Sequence, residues 1–446
     1  MNSMSFSDSI LYSKHAFTRG IFLFFFFLFI SNVLSAQNSY NFYGKGARAA
    51  GMGYAFNAIS DDAFAMSWNP AGMTQIKKLE FAFARSMKIT NYTHAIHTEL
   101  DYKPVFNLDY LGLVYPIKLK KRNLVLGLNY QTLLNYKENY SRGNKSELSE
   151  VTNRNYLTVN TISLCGAYPV TRYLSLGVSL NAWFSLGNKA NYYTYYNSKL
   201  IYDGEREDEN YNYEHNTYRY SGVDMSAGFF TDFTAFNFPL RFAFNWRSES
   251  IIKNEYSSTY ESVYIYEMAE DTTKTEIFDG PKKYYYHRMF QMGISYRIGE
   301  YLTLACDFDY RPFKNSVFSW DYYHYNDFHT PVIDTTKKEV FYISQSNANL
   351  HQVRIGAEYI LHPDFALIPI RIGWKNNPTT LSDYNENEEP VKQVYASSFT
   401  MGVGWVMKYF TIDFAYEWYS YERMDANYNY EKRTDYLFVL SMIIHL

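Results

Sequence analysis

Tyr409-Phe-Thr-Ile-Asp-Phe-Ala-Tyr-Glu-Trp418 decides the fold. Phe410, Ile412, Phe414, Tyr416 and Trp418 fall on one face of this stretch; Thr411, Asp413, Ala415 and Glu417 fall on the other. A period of two is the signature of a strand. The same alternation sets Phe290, Met292, Ile294, Tyr296 and Ile298 against Gln291, Gly293, Ser295 and Arg297. It also sets Leu240, Phe242, Phe244 and Trp246 against Arg241, Ala243, Asn245 and Arg247.

Working outward, the rhythm predicts fourteen strands, near 79–89, 107–116, 123–134, 157–168, 173–186, 222–233, 238–248, 288–298, 301–311, 350–361, 365–374, 396–407, 409–419 and 434–446. Short links such as Pro169–Arg172, Gly299-Glu300 and Lys408 alternate with long ones, Asn188–Ser221, Glu249–His287 and Pro312–Asn349, read as external loops. A soluble sandwich gives no reason for that alternation, whereas a membrane-spanning barrel has tight turns at one rim and long loops at the other. The oily faces then meet lipid. Asp224, Asp232, Arg241, Arg297, Asp307, Asp309, Arg354, Glu358, Arg371, Asp413 and Glu417 lie on the opposite face. At the bilayer midplane a charge on the lipid side costs roughly 2–4 kcal/mol, so these side chains are expected to line a water-filled interior. Closure also removes the unpaired strand edges that lipid cannot satisfy. The fold class is therefore all-β, a 14-stranded antiparallel transmembrane β-barrel over residues 79–446.

Composition agrees. The 446 residues carry 42 Lys+Arg against 45 Asp+Glu, with a mean hydropathy of −0.36. The longest apolar run, Ile21–Ile30, is about half of what a spanning helix needs. Near-neutral charge without a basic stretch argues against nucleic acid as a partner. The 47 Tyr and 34 Phe exceed what a disordered chain carries.

The start of the chain is different. Lys14, His15 and Arg19 precede the apolar run, and Ser31-Asn-Val-Leu-Ser35-Ala36 follows it. Basic, apolar and small-x-small in that order reads as a secretory signal over residues 1–36, cleaved near Ala36, with an outer-membrane destination. Residues 37–78 do not alternate. Gly44, Gly46, Gly51 and Gly53 allow close backbone approach. Ser60-Asp61-Asp62 resembles a cap opening a short helix at Ala63. Pro70 pushes Asn69 out of the helical region. The expected place for this compact segment is the barrel mouth, as a hatch in the lumen.

Gly44-x-Gly46-x-Arg48, Gly51-Met-Gly53, Asp61-Asp62-Ala and Trp68-Asn69-Pro70-Ala71-Gly72 together resemble the N-terminal hatch of the FadL/TodX-like outer-membrane transport family. The resemblance implies a fourteen-stranded barrel, a hatch with an Asn-Pro-Ala turn beside a gate, and passive uptake of long-chain fatty acids or aromatic hydrocarbons. PorV-like docking proteins of the type IX secretion apparatus share a similar start, which leaves docking of secreted proteins as the alternative. The Tyr-rich stretches Tyr192-Tyr-Thr-Tyr-Tyr196 and Tyr284-Tyr-Tyr286 suit either role.

Trp183 and Phe230, apolar residues on the lumen phase, are the ligand candidates. His94-Ala-Ile-His97 lacks a completing ligand, and Asp203-Gly-Glu205-Arg-Glu207-Asp208-Glu209 lacks calcium-loop spacing; the latter reads as a solvated loop tip, with divalent bridging to lipopolysaccharide as its other reading. Cys165 and Cys306 fall on opposite walls and are expected as free thiols. No catalytic or cofactor motif occurs, so neither an enzyme, a metal nor a cofactor is expected. The partners expected are a hydrophobic small molecule and the surrounding outer-membrane lipids and lipopolysaccharide, with secreted proteins in their place under the PorV-like alternative.

Overall fold

The computed structural model of the chain describes residues 44–446, apart from 95–98, 136, 145–148, 187–191, 203–205, 267–268, 287, 313–316, 326–332, 345–348, 364–365, 388 and 426–427. The signal segment, residues 37–43, most of the His94–His97 stretch and the start of the acidic run lie outside the described residues.

Fourteen antiparallel strands close into a ring: β1 Glu80–His94, β2 Val105–Lys118, β3 Asn123–Asn135, β4 Thr158–Pro169, β5 Leu174–Ser185, β6 Arg206–Asp232, β7 Leu240–Arg247, β8 Met289–Ile298, β9 Leu302–Arg311, β10 Leu350–Leu361, β11 Ile368–Tyr384, β12 Pro390–Val406, β13 Phe410–Met424 and β14 Tyr430–His445. Each pairs with the next, and β1 closes on β14 from Glu80↔His445 to His94↔Glu431. All fourteen segments read from the sequence are present. Leu446 N donates to Leu79 O at 2.9 Å, so the chain's end lies where the barrel begins, at the rim of short turns.

The links at the far rim correct the reading of long loops. Eight further strands, left unnumbered, occupy them: Glu99–Tyr102, Glu138–Asn144, Ser149–Asn155, Tyr192–Tyr202, Ser250–Tyr266, Ala269–Tyr286, Val317–Tyr325 and Ile333–Ser344. Their runs of Tyr, Thr, Val and Ile favour extended backbone. Each pairs with a neighbour, as Tyr192–Tyr202 does with β6. β6 itself runs for 27 residues, about 90 Å of extended chain, against an apolar band only ~25 Å tall.

Side chains follow the period-two phase. In β5 the inward residues Ser175, Gly177, Ser179, Asn181 and Trp183 are buried, while Leu176, Val178 and Leu180 stand exposed on the outside. Leu128, Ile162, Leu164, Ile355, Ile372, Phe399 and Met401 continue this outward apolar belt. The interior, however, is packed rather than water-filled. Asp307, Asp309, Arg311, Arg354, Glu358, Arg371, Asp413 and Glu417 are each at most 4 % exposed. They neutralise one another: Arg371 reaches Glu358 and Asp413 at 2.7 Å each, Lys375 reaches Glu417 at 2.9 Å, and Arg311 and Arg354 both reach Asp309. Buried charge persists only when paired in this way. Water is displaced because residues 44–78 occupy the space between the walls. Asp232 and Arg241 sit half-buried near the short-turn rim, and Arg297 is exposed at the Gly299 turn. Cys165 is buried facing inward and Cys306 is exposed facing outward; both are free.

Candidate functional site

Residues 44–78 fold into three short turns of helix: α1 Ala47–Gly51, α2 Ala65–Trp68 and a 3-10 turn Pro70–Gln75. Gly44 and Gly46 lack the Cβ that would strike the rings of Trp68 and Phe64. Gly53 has φ +63°, the left-handed region that glycine tolerates. The helix start is corrected: α2 begins at Ala65, not at Ala63, and no side chain caps it. The Asp62 carboxylate instead accepts Phe64 N at 2.9 Å, and Ser60 donates back to Phe56 O. Asn69 is extended (φ −141°, ψ 107°), as the following proline requires. Its Oδ1 accepts Ala71 N at 3.0 Å, and Pro70 opens the 3-10 turn.

The segment is fastened all round the wall. Ala47 N donates to Ser441 Oγ on β14, and Gly53 N to Thr400 Oγ1 on β12. Asp307 Oδ2 on β9 accepts the N–H groups of both Phe56 and Asn57 at 2.9 Å. Arg354 on β10 donates to Tyr54 O at 3.1 Å and lies over the Trp68 ring at 5.5 Å. Asn69 Nδ2 donates to Phe229 O on β6 at 3.0 Å, Asn245 Nδ2 on β7 to Trp68 O at 2.9 Å, and Tyr110 OH on β2 to Ala63 O at 2.7 Å. Trp68 Nε1 returns to Lys45 O within the segment.

Where backbone meets wall, the wall residue is often glycine. A Cβ at Gly356 would strike Met52 O, at Gly373 Gly53 N, at Gly177 Ala71 N and at Gly228 Asn69 Oδ1; at Gly402 it would sit 3.0 Å from Gly51 Cα. These wall glycines were not singled out from the sequence. Their signal was there: Gly293, Gly356, Gly373 and Gly402 all fall on the lumen phase of strands whose other face is bulky.

At the short-turn rim a chain of charges crosses the segment. Arg48 holds Glu358 through Nε and Nη2, both at 3.0 Å, and Asp61 through Nη1 at 2.6 Å. Asp61 lies 3.7 Å from Arg241 on β7, which pairs with Asp232 at 3.2 Å. Asp62 sits 3.6 Å from Arg48. Burial pushes its carboxyl up to about 7, despite the opposing pull of the Arg48 guanidinium. Burial likewise lowers the Lys45 ammonium, with Asp109 acting against it.

On the opposite side of the segment, away from the short turns, lies a recess with about 20 Å³ of free volume. Ser67, Trp68, Gln131, Asn181, Ser226, Asn245, Arg247 and Gln291 supply most of its lining, with Gly44, Met66, Leu133 and Met289. Leu133 also belongs to an apolar patch on the inner wall, packed with Leu134, Leu157, Val159, Trp183, Tyr220 and Ile252. Of the two sequence candidates, Trp183 lies in this patch at 4 % exposure, with Arg247 5.4 Å from its ring centre. Phe230 lies elsewhere, against Ala58, Ala71 and Ala243 beside the segment. The two are not brought together. No metal-holding cluster of His, Cys, Asp or Glu occurs among the described residues.

The arrangement defines a class: a fourteen-stranded barrel of the outer-membrane type, its lumen occupied by the chain's own N-terminal region. Solved structures with this fold include the toluene transporter TbuX of Ralstonia pickettii, at TM-score 0.61 and 14 % identity, covering 91 % of this chain and 99 % of that one. The toluene transporter TodX of Pseudomonas putida aligns at TM-score 0.58 and 12 % identity, covering 91 % and 99 %. A FadL homologue of Pseudomonas aeruginosa aligns at TM-score 0.58 and 11 % identity, covering 91 % and 100 %. The barrel is thus of FadL/TodX type. No curated protein matches the chain in sequence. The model of the BamG family matches residues 18–355, and the chain belongs to that family.

Proposed function

We propose that the chain is an outer-membrane channel for passive uptake of hydrophobic small molecules, with residues 37–78 as its hatch. One observation carries this reading. Beside the recess, on the inner wall, Leu133, Leu134, Leu157, Val159, Trp183, Tyr220 and Ile252 form a buried apolar cluster. An apolar ligand gains roughly 25 cal/mol for each Å² it buries there. Proteins of this fold described as toluene transporters or as a monoaromatic hydrocarbon channel point the same way. Long-chain fatty acids are the second ligand class, implied by the resemblance of the motifs from Gly44 to Gly72 to FadL/TodX-like transporters. The ligand reaches the patch from the far rim and stops over Trp68. Release of the segment from the wall then opens the way onward, driven only by the gradient. Neither catalysis nor a cofactor is part of this reading.

Deletion of residues 38–72 tests it. Uptake of a labelled monoaromatic or fatty acid into proteoliposomes is expected to change, and liposomes holding the deleted form are expected to swell in small sugars while those holding the intact chain do not. Unchanged uptake and no swelling would refute a hatch. The docking alternative draws on the eight strands that extend the sheet beyond the barrel. Stable co-purification of a secreted protein from detergent extracts, with no bound small molecule, favours docking over uptake.

A further inference from the structure

The barrel has a groove on its outer face. About 850 Å³ of free volume lies against β7–β12, within the size range of small-molecule sites. Two rows of outward side chains frame it. Leu240, Tyr296, Leu304, Ala357 and Ile372 stand side by side across β7–β11 through the register of these strands. One step further from the short turns, Ile294, Cys306, Ile355, Trp374 and Phe399 do the same across β8–β12. The depression has a local cause: Cys306 and Ala357 are small, whereas Ile294, Leu304, Ile355 and Ile372 beside them are large and branched. None of the lining residues carries a charge. The course of the groove is oblique. It starts at Leu240, the first residue of β7, and reaches Phe399, well inside β12. Five strand spacings from β7 to β12 amount to about 24 Å. Strands of such barrels tilt by ~35–45°, so a path across them climbs from the short-turn rim toward the middle of the bilayer. At the rim end, Tyr296 lies in the groove and Arg297 follows it at the Gly299 turn. Arg297 is exposed and donates to Glu300 O at 3.1 Å; among the described residues no carboxylate pairs with it.

We propose that the groove binds one phospholipid of the leaflet that meets the short-turn rim, with an acyl chain along the groove and the phosphate beside Arg297. Within a bilayer, removal from water does not drive such binding. The selectivity comes from close packing of the chain against the wall and from the charge at its head. A lipid of the opposite leaflet enters at the Phe399 end and leaves Arg297 without an anion. The same stretch of wall holds the N-terminal segment from inside. Gly356 and Gly373 meet Met52 and Gly53 there, and Ser295 Oγ donates to Ala58 O at 3.1 Å. An acyl chain in the groove therefore backs the sheet where its inner face is bare of side chains. The site lies outside the barrel and does not depend on the uptake reading.

The test titrates the delipidated mature chain, folded in detergent, with dioleoyl phosphatidylglycerol and counts bound lipid by native mass spectrometry. One lipid per barrel is expected to bind saturably. Ala357→Phe, which fills the floor of the groove from the lipid side, is expected to weaken binding about tenfold or more. Leu180→Phe, outward on β5 and away from the groove, is expected to leave it unchanged. Arg297→Gln is expected to weaken it about fivefold and to leave the binding of uncharged dioleoylglycerol as it was. No saturable binding, or undiminished binding to a folded Ala357→Phe barrel, overturns the proposal; if that variant fails to fold, Cys306→Leu fills the same floor and decides in its place. Equal weakening by Leu180→Phe also overturns it. An affinity unmoved in Arg297→Gln overturns the place given to the phosphate, and tighter binding of lipopolysaccharide than of phosphatidylglycerol overturns the choice of leaflet.

Discussion

Replacing Asp307 with alanine is expected to loosen the N-terminal segment without disturbing the barrel. Asp307 Oδ2 is the acceptor for two consecutive backbone N–H groups, those of Phe56 and Asn57, each at 2.9 Å. Phe56, Asn57 and Asp307 are 1 %, 0 % and 1 % exposed, so bulk water does not reach them. Leaving a buried donor unpaired costs about 1–3 kcal/mol, so two cost about 2–6 kcal/mol. A water entering the space left by the carboxylate offsets part of this and places the expectation near the lower half, about 3 kcal/mol. That is about two decades in the undocked population. Asp307→Asn keeps an oxygen acceptor and loses only the charge; about one decade is expected. Arg354 retains Asp309 in both variants. Amide hydrogen exchange over residues 52–60, measured in detergent at fixed pH, reads the change directly. Wild-type protection of those amides in Asp307→Ala, in a barrel whose strands remain protected, would show that the segment is not held by this carboxylate.

Two further outcomes follow from the packing and the electrostatics. Gly356→Ala and Gly373→Ala put a Cβ into the backbone of Met52 and Gly53, and are expected to cost docking about 1–3 kcal/mol or more. Gly166→Ala, whose Cβ would meet only Leu126 Cδ2 at 3.8 Å, is expected to be silent in the same exchange assay. For pH, the Asp62 carboxyl is raised from 3.8 to about 7 when docked. Between those values the docked state holds a proton that the released state has lost, so docking weakens as pH rises through this window. Asp62→Asn keeps the acceptor for Phe64 N, removes the titration and is expected to flatten the pH dependence of exchange over residues 60–68.

The barrel was legible because its signal is local. Whether Phe414 faces lipid and Asp413 faces inward depends only on the two-residue repeat of the strand carrying them, and the repeat survives in every wall segment. The strands beyond the far rim left a weaker trace. Tyr192–Tyr202 and Ser250–Tyr266 owe their form to pairing with β6, more than a turn's length away in sequence for the latter, and no lipid imposes alternation on them. The charge pattern was seen but its environment was misjudged. Glu358 reads as a lumen residue from phase, yet only the fold brings Arg48, 310 positions earlier, against it. Asp61 and Asp62 were noticed as cap candidates; the structure gives one to an ion-pair chain and the other to the Phe64 amide. Trp183 was found by phase alone, whereas Asp224, which accepts its ring N–H, and Arg247, which lies over its ring, stood out only as two charges among many.

Closure of β1 on β14 joins the first and last strands of the wall, while Ala47, thirty-odd residues ahead of β1, is hydrogen-bonded to Ser441 on that last strand. The first described turn of the chain and its last strand are therefore joined directly. Glu358 and Asp307 complete their partnerships only with the N-terminal segment in place. In a barrel closed without this segment Glu358 would keep Arg371 and Asp307 would keep Arg354 on the wall, but neither carboxylate would have the partners that the segment supplies, so an empty cylinder is a poorer container than a loaded one.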